Sequence, residues 1–358
     1  MESLSNIEKM MQMMDRPAFC VDHGIITGAN QAAQNRLVPL NEPIAPLLVT
    51  GQMEYASFSE GLLYLTLKLS GSEWGAEIQK VGQLHIFTLE SCGSGAQLQA
   101  LSLAAQQLRN PLSSILSMTD RLFPSLEVAE DSATADQIAY INRALYQMQR
   151  IISNMADADR YTTLVPRLES RDVDAVLEEI FEQAASLCEK AGIQVEYTGL
   201  PTAAYSRIDS ELLERCVYNI LSNAMKFTPS GGSIQASLAL RRNTLYLTVQ
   251  DSGSGIRPNG AGNLFTRYLR EPGIEDASHG LGLGMSLISS CARIHGGTVL
   301  LEPGPEGGLR LTMSLPIRLD GPSLHSPVLR IDYAGERNHG LIELSDSLPH
   351  TLYMPQKH

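Results

Sequence analysis

Several absences narrow the reading of this chain. Its five cysteines (Cys20, Cys92, Cys188, Cys216, Cys291) form no Cys-x-x-Cys pair and no metal-ligand spacing, which sets aside zinc modules and a disulfide framework. They read as reduced thiols of a cytoplasmic protein, most of them small buried hydrophobes. No apolar run nears the ~20 residues of a membrane span. The N-terminus lacks the basic stretch before an apolar one that marks a signal peptide. Positive charge is in deficit, with 27 Lys and Arg against 39 Asp and Glu and a net charge of −12. That argues against nucleic acid or an anionic membrane as the main partner. No residue in the first quarter argues for haem or flavin. No histidine lies between positions 86 and 278.

With 358 residues there is room for two or three domains. Three stretches carry the chemistry. In the first, Leu212, Leu213, Val217, Ile220, Leu221 and Ala224 recur at near-helical spacing. Asn219 and Asn223 then lie one turn apart on one face. Their amide oxygens suit a hard cation such as Mg²⁺ between phosphates, with Lys226 adding a charge nearby; two exposed Asn on an amphipathic helix is the plain alternative. The second stretch is an alternating strand, 245–250, that ends in Asp251-Ser252-Gly253-Ser254-Gly255. The carboxylate there has the chemistry to accept a hydrogen bond from an adenine amino group, although Asp-x-Gly is also an ordinary turn. The third, Gly280-Leu281-Gly282-Leu283-Gly284, runs into a helix over 286–294, whose start offers N–H groups to phosphate. No Gly-Lys-Ser/Thr follows, so it is not a Walker A loop.

In this order and spacing the three resemble the N, G1 and G2 boxes of the histidine-kinase branch of the GHKL ATP-binding superfamily. Residues 264–270, with Phe265 and Arg270, resemble its F box, and His295-Gly296-Gly297 its closing strand region. The resemblance spans residues 97–317. It implies Asn223 as main Mg²⁺ ligand, Asn219 as helper and Asp251 as adenine reader. Gly253, Gly255, Gly280, Gly282 and Gly284 would shape the ATP pocket, and 257–279 would be a lid. Gyrase-like members carry a Glu four residues before the Asn to activate water. Asn219 stands there, so efficient ATP hydrolysis is not expected.

Upstream, residues 1–92 read as a small sensor unit. A Met-rich start (Met10, Met11, Met13, Met14) suits packing, a dimer seam or a lid. Strands follow at 18–22 and 25–30, with Asn30 as a helix cap, then at 62–69, 74–80 and 82–90. The pattern resembles a PAS domain with a short helical middle, in which Trp74 and Phe87 fill the space of a ligand. After a break at 91–95, Leu101, Ala105, Leu108, Leu112, Ile115, Thr119 and Leu122 form one apolar stripe. Ile138, Ile141, Leu145, Met148, Ile152 and Met155 form another. Two such helices over 97–163 predict a hairpin that pairs with a second copy as a four-helix bundle. This resembles the dimerisation and phosphotransfer domain of histidine kinases.

One departure carries weight. The family motif is His-Glu-Leu-Arg-Asn/Thr-Pro-Leu; here it is Gln106-Gln107-Leu108-Arg109-Asn110-Pro111-Leu112. A Gln amide has no nucleophilic ring nitrogen, and no carboxylate stands beside it to take a proton. Gln106 therefore marks an inactive phosphoacceptor position.

The expected architecture is multi-domain α+β. It comprises a PAS-like unit (1–92), a helical hairpin (97–163), an α/β-sandwich ATP-binding domain (168–317) and an extension (318–358). A linker is expected at 160–171. In the extension, 328–332 and 341–344 suggest a β-hairpin, and His350 and His358 suggest surface residues. The leading function is a cytoplasmic two-component sensor pseudokinase that binds ATP and Mg²⁺ as a homodimer. Its partner would be a response-regulator receiver domain or another histidine kinase. The alternatives are a kinase acting on another acceptor or chain, and a response-regulator phosphatase using Gln107 and Asn110, three apart on one helix face.

Overall fold

Two apolar runs separated by His23-Gly24 start the chain's β-structure. Both turn residues have positive φ, 46° and 81°, and they join β1 (Ala18–Asp22) to β2 (Ile25–Ala29) in an antiparallel pair. The computed structural model describes residues 11–14, 16–36, 38–90, 104–105, 107–109, 112–113, 115, 118–119, 132–163, 166–255, 284–305, 307–319 and 338–354, with 132–134 and 156–163 as backbone alone.

Asn30 caps α1 (Gln31–Gln34), its side chain accepting from the Ala33 N–H at 2.9 Å. Its amide also donates to the carbonyls of Met14 and Arg16, which holds the Met-rich start against the strand. Met11 and Met14 pack there on Ala18 and Cys20, the packing role. A 3₁₀ turn (Ala45–Leu47) and α2 (Gln52–Ser57) make up the short helical middle. Then come β3 (Leu62–Leu69), β4 (Ser72–Val81) and β5 (Leu84–Leu89). Phe87 is fully buried and stacks on Phe19, with centroids 4.8 Å apart. Trp74 is half-buried at the rim beneath the Arg36 guanidinium.

Among residues 104–119 the described positions are helical, and α3 spans Ser132–Thr163. Among the described residues of the two apolar stripes, Ala105, Leu112, Leu145 and Ile152 form a small core inside this pair. Leu108, Ile115, Ile141 and Met148 stay 43–49% exposed.

The second half of the chain contains β6 (Glu169–Asp172), α4 (Val173–Lys190), β7 (Gln194–Thr198), β8 (Tyr205–Ile208) and α5 (Ser210–Phe227). It continues with β9 (Ser233–Arg241), β10 (Thr244–Asp251), α6 (Gly284–His295), β11 (Val299–Pro303) and β12 (Leu309–Pro316). Strand β7 runs parallel to β9, and β9, β10, β12 and β11 are antiparallel neighbours, so the sheet is mixed. Leu245, Leu247 and Val249 point from β10 to the helices, and the predicted stripe of α5 meets them. Each such side chain contributes about 1.5–3 kcal/mol on burial. That total exceeds the cost, about 1–3 kcal/mol each, of burying the polar Asn219 and Ser222 on the same helix.

The two halves are not separate sheets. β3 pairs antiparallel with β11, Leu62 opposite Leu301 and Tyr64 opposite Val299, giving one ten-stranded order β2-β1-β5-β4-β3-β11-β12-β10-β9-β7. This explains the unbroken apolar run Leu62-Leu63-Tyr64-Leu65. Leu63 and Leu65 enter the N-terminal core, whereas Leu62 and Tyr64 enter the core of the second half. Burial of the Tyr64 hydroxyl, beside the Glu90 carboxylate, pushes its ionisation well up.

Two expectations are corrected. Residues 160–171 are not all linker: α3 continues to Thr163, and Glu169–Asp172 pairs with β8. In the extension, 341–344 is not a strand. His339–Glu343 is helix α7, started by Asn338 accepting from the Leu341 N–H, and a 3₁₀ turn follows at His350–Tyr353. Four residues are too few to separate the two periods; the cap and the burial of Ile342, Leu344, Leu348 and Tyr353 decide it. The other expected strand, 328–332, lies outside the described residues, as does His358. His350 is half-exposed and stacks on Tyr140, with centroids 3.9 Å apart.

Candidate functional site: a nucleotide pocket at the end of α5

The candidate site lies where α5, the end of β10 and the start of α6 converge. Asp209 begins α5 by accepting from the Leu212 N–H at 3.1 Å. The Asp209 N–H donates in turn to His295 Nε2 at 3.1 Å, and His295 Nδ1 bonds the Cys291 carbonyl at 2.8 Å. This buried imidazole ties the end of α6 to the start of α5. Burial, first, pushes its pKa down, against a smaller upward pull from the Cys291 carbonyl and Asp209.

Ten and fourteen residues along α5 come the two asparagines. Asn219 is fully buried; its Nδ2 donates to the Arg215 carbonyl at 2.8 Å, and its Oδ1 is a buried acceptor without a hydrogen-bond partner. That oxygen faces the first residue of α6: a Cβ on Gly284 would lie 3.2 Å from it and 3.7 Å from the terminal atoms of Asn223. Asn223 is half-buried and contacts the Met285 sulfur. A side chain at position 284 would press on the Asn219 amide oxygen. An orphaned amide oxygen, a second amide and a helix start suit a hard cation with phosphates.

Asp251 ends β10 where Gly253 comes against the carbonyl of Phe227 at the end of α5. It is 6% exposed, and its Oδ1 accepts from the N–H groups of Gly253 (2.9 Å) and Leu309 (3.2 Å). Burial pushes its pKa up, opposed by these two backbone bonds. Glycines make the close approach feasible. A Cβ on Gly253 would collide with the Phe227 carbonyl, and one on Gly308, at φ 74°, with the Asp251 carbonyl. Gly255, at φ 69°, lies against the Gly308 carbonyl.

The structure thus brings together Asn219, Asn223, Gly284, Asp251, Gly253 and Gly255. Lys226 is on the same helix, with its Nζ 3.0 Å from Asp346. Gln107 is helical and exposed. Gln106, Asn110, Phe265, Arg270, Gly280, Gly282 and the expected lid at 257–279 lie outside the described residues. Sequence reasoning missed Gly308 and the Leu309 amide, which β12 brings beside Asp251; the Gly307-Gly308 pair before a strand was the available signal. It also missed Arg215, Glu343 and Asp346. Among the described residues there is no cluster of metal-ligating acids, histidines and cysteines, and no helix long and apolar enough to cross a membrane.

Comparison with known proteins gives this part of the chain a family. Residues 208–319 match the family described as histidine kinase-, DNA gyrase B-, and HSP90-like ATPase. The sensor histidine kinase TmoS of Ectopseudomonas mendocina is 29% identical over 218 residues, 60% of this chain and 22% of TmoS. The signal transduction histidine-protein kinase AfsQ2 of Streptomyces coelicolor is 25% identical over 272 residues, 72% of this chain and 50% of its own length. Histidine protein kinase DivJ of Caulobacter vibrioides is 27% identical, with 67% and 43% covered. The chain therefore spans half or less of the length of these relatives. Among solved structures, full-length ShkA in complex with AMPPNP superposes with a TM-score of 0.50 at 19% identity, covering 63% of this chain and 47% of that one, a likeness of fold. Residues 208–319 thus form an ATP-binding domain of the histidine kinase-, DNA gyrase B- and HSP90-like family, and over a longer stretch the chain is similar to sensor histidine kinases.

Proposed function

We propose that this chain is a sensor of two-component signalling that binds ATP with Mg²⁺ and does not phosphorylate itself at the usual hairpin position. The observation that carries the nucleotide reading is the buried Asn219 Oδ1, which lacks a hydrogen-bond partner and faces the α6 start beside Asn223. Asn223 and Asn219 would hold Mg²⁺, which supplies charge neutralisation to the phosphates. Asp251 Oδ1 is engaged by backbone, so the adenine amino group falls to Oδ2. The missing acceptor is read from Gln106 alone.

The order β2-β1-β5-β4-β3 and its filled core support a PAS-type sensor in which side chains replace a ligand. The exposed stripe residues Leu108, Ile115, Ile141 and Met148 support a homodimer through the hairpins. A response-regulator receiver domain is the expected partner. The described cysteines are free and buried, in keeping with a cytoplasmic location. A phosphatase reading has one observation in its favour, the exposed helical Gln107, whose amide would orient a water onto a docked acyl phosphate.

The test is incubation with γ-³²P ATP, alone and with receiver domains, of wild type and the Gln106→His, Gln107→Glu double variant. Wild type should bind nucleotide and take up no acid-labile label; the double variant, given back a nucleophile and its carboxylate, should become labelled. Label on wild type sinks the pseudokinase reading. Loss of label from a prephosphorylated receiver would favour the phosphatase.

A further inference from the structure

The extension beyond the family match, 338–354, lies across the nucleotide helix like a strap. Leu344, Leu348 and Tyr353 are buried in the core that α5 shares. On its other side it grips α3, where Arg143 donates to the carbonyls of Ser345 (3.1 Å) and Asp346 (2.9 Å), and Asn142 to that of Tyr353 (3.1 Å).

Its two carboxylates are placed on cations of α3 and α5. Glu343, with a fully buried side chain, lies 3.4 Å from Arg150 and 3.6 Å from Arg215. Asp346 Oδ2 takes Arg150 at 2.7 Å and Lys226 at 3.0 Å. Arg215, Asn219, Asn223 and Lys226 follow one another at steps of four, four and three, so they run along one face of α5. The strap therefore neutralises the cations at both ends of the asparagine pair. The Lys226–Asp346 pair is only 11% and 10% exposed, so solvent and salt screen it little.

A nucleotide would bring several phosphate charges to the start of α6, beside Asn223 and within one turn of Lys226. An ammonium is a compact charge on a flexible stem and turns readily between anions. It cannot serve Asp346 and a phosphate equally well. We propose that the strap and the nucleotide compete for Lys226, so that the docked strap weakens ATP binding and bound ATP loosens the strap from α3 and α5. This rests on the ATP reading above and adds its regulation. Asp346 is then a positioning residue, acting through Lys226. Linkage makes the effect reciprocal: whatever factor the strap takes from nucleotide affinity, the nucleotide takes from strap docking. Because Asp346 also holds Arg150, loosening would release the hairpin helix from the ATP-binding unit at the same moment.

The test uses the full chain in two measurements, titration of a fluorescent ATP analogue with Mg²⁺ and hydrogen exchange of peptides within 338–354. Asp346→Asn should bind the analogue roughly 5- to 100-fold more tightly, the span of ordinary coupling. Asp346→Glu should remain near wild type. Asp22→Asn, the same charge change at the far edge of the sheet, should leave affinity unchanged, which separates the pair from a general charge effect. In wild type, nucleotide should raise exchange in the strap, and Lys226→Gln should abolish that response. Equal or weaker binding by a folded Asp346→Asn, or strap exchange indifferent to bound nucleotide in wild type, overturns the competition. The wild-type exchange measurement decides even where Asp346→Asn folds poorly. Failure of every variant to bind would remove the ATP reading and the competition with it, whereas binding without coupling removes the competition alone.

Discussion

Gly61 lies against the main chain of Leu301: at φ 90°, a Cβ on it would collide with the Leu301 carbonyl oxygen. The contact is at the junction where β3 joins β11. Gly61→Ala combines a disfavoured backbone region with that collision, each a strain of about 1–3 kcal/mol. Chemical denaturation should show a lower midpoint, with the N-terminal half separating as its own transition. A single transition at the wild-type midpoint would mean that the junction yields without cost.

Gly308 is expected to matter to nucleotide binding although it touches no candidate ligand atom. A methyl there meets the Asp251 carbonyl and, at 2.9 Å, its Oδ1. Gly308→Ala should displace Asp251 and weaken the ATP analogue by tenfold or more, as a shift of about 1 Å costs roughly 100-fold where geometry is tight. Asp251→Asn, which keeps the shape and loses the charge, should also bind weakly. Unchanged affinity in both variants would remove Asp251 from the adenine role.

Ile141 and Met148 are 49% and 43% exposed on the outer face of α3. Converting both to Glu should give a monomer by light scattering with the fold intact, since neither belongs to the inner core of the hairpin. A wild type already monomeric at micromolar concentration would refute dimerisation through this face.

His295 should make stability depend on pH. Its folded pKa lies below the ordinary 6.5, chiefly through burial, with Arg318 adding a small downward push and Asp209 an upward one. Between the folded pKa and 6.5 the unfolded chain therefore binds more protons. Stability is full above that window and falls as pH drops through it, at up to about 1.4 kcal/mol per pH unit for one proton. His295→Gln keeps an acceptor for the Asp209 N–H and should lose that one-proton share of the slope. An identical slope in the variant would assign the dependence to other groups.

Much of the candidate nucleotide site was legible because its parts are local. A capped amphipathic helix with two Asn at i and i+4, and a strand ending in Asp-x-Gly, state their geometry within a few residues. Gly308 was not legible, because its place beside Asp251 comes from the pairing of β10 with β12, which are more than fifty residues apart. The β3–β11 junction was half legible. Leu62-Leu63-Tyr64-Leu65 announces burial on both faces, but no local pattern says that the second cover is another domain's core. The extension misled for the opposite reason: Leu341-Ile342-Glu343-Leu344 fits either period, and the buried Glu343 that marks its true role reads as an ordinary surface acid until Arg150 and Arg215 are seen around it.

The shared ten-stranded sheet also bears on how this protein tolerates being cut. A fragment beginning at residue 166 would carry β11 with one side unpaired and a hollow where Leu62 and Tyr64 had been. A fragment ending at residue 90 would present Leu62–Leu69, with seven of its eight residues buried in the intact chain, as a bare edge. Unprotected strands of that kind template association with other chains. Mixed in one tube, the two fragments should find each other through the same ladder and lose their tendency to clump, which turbidity of the separate and combined pieces would record.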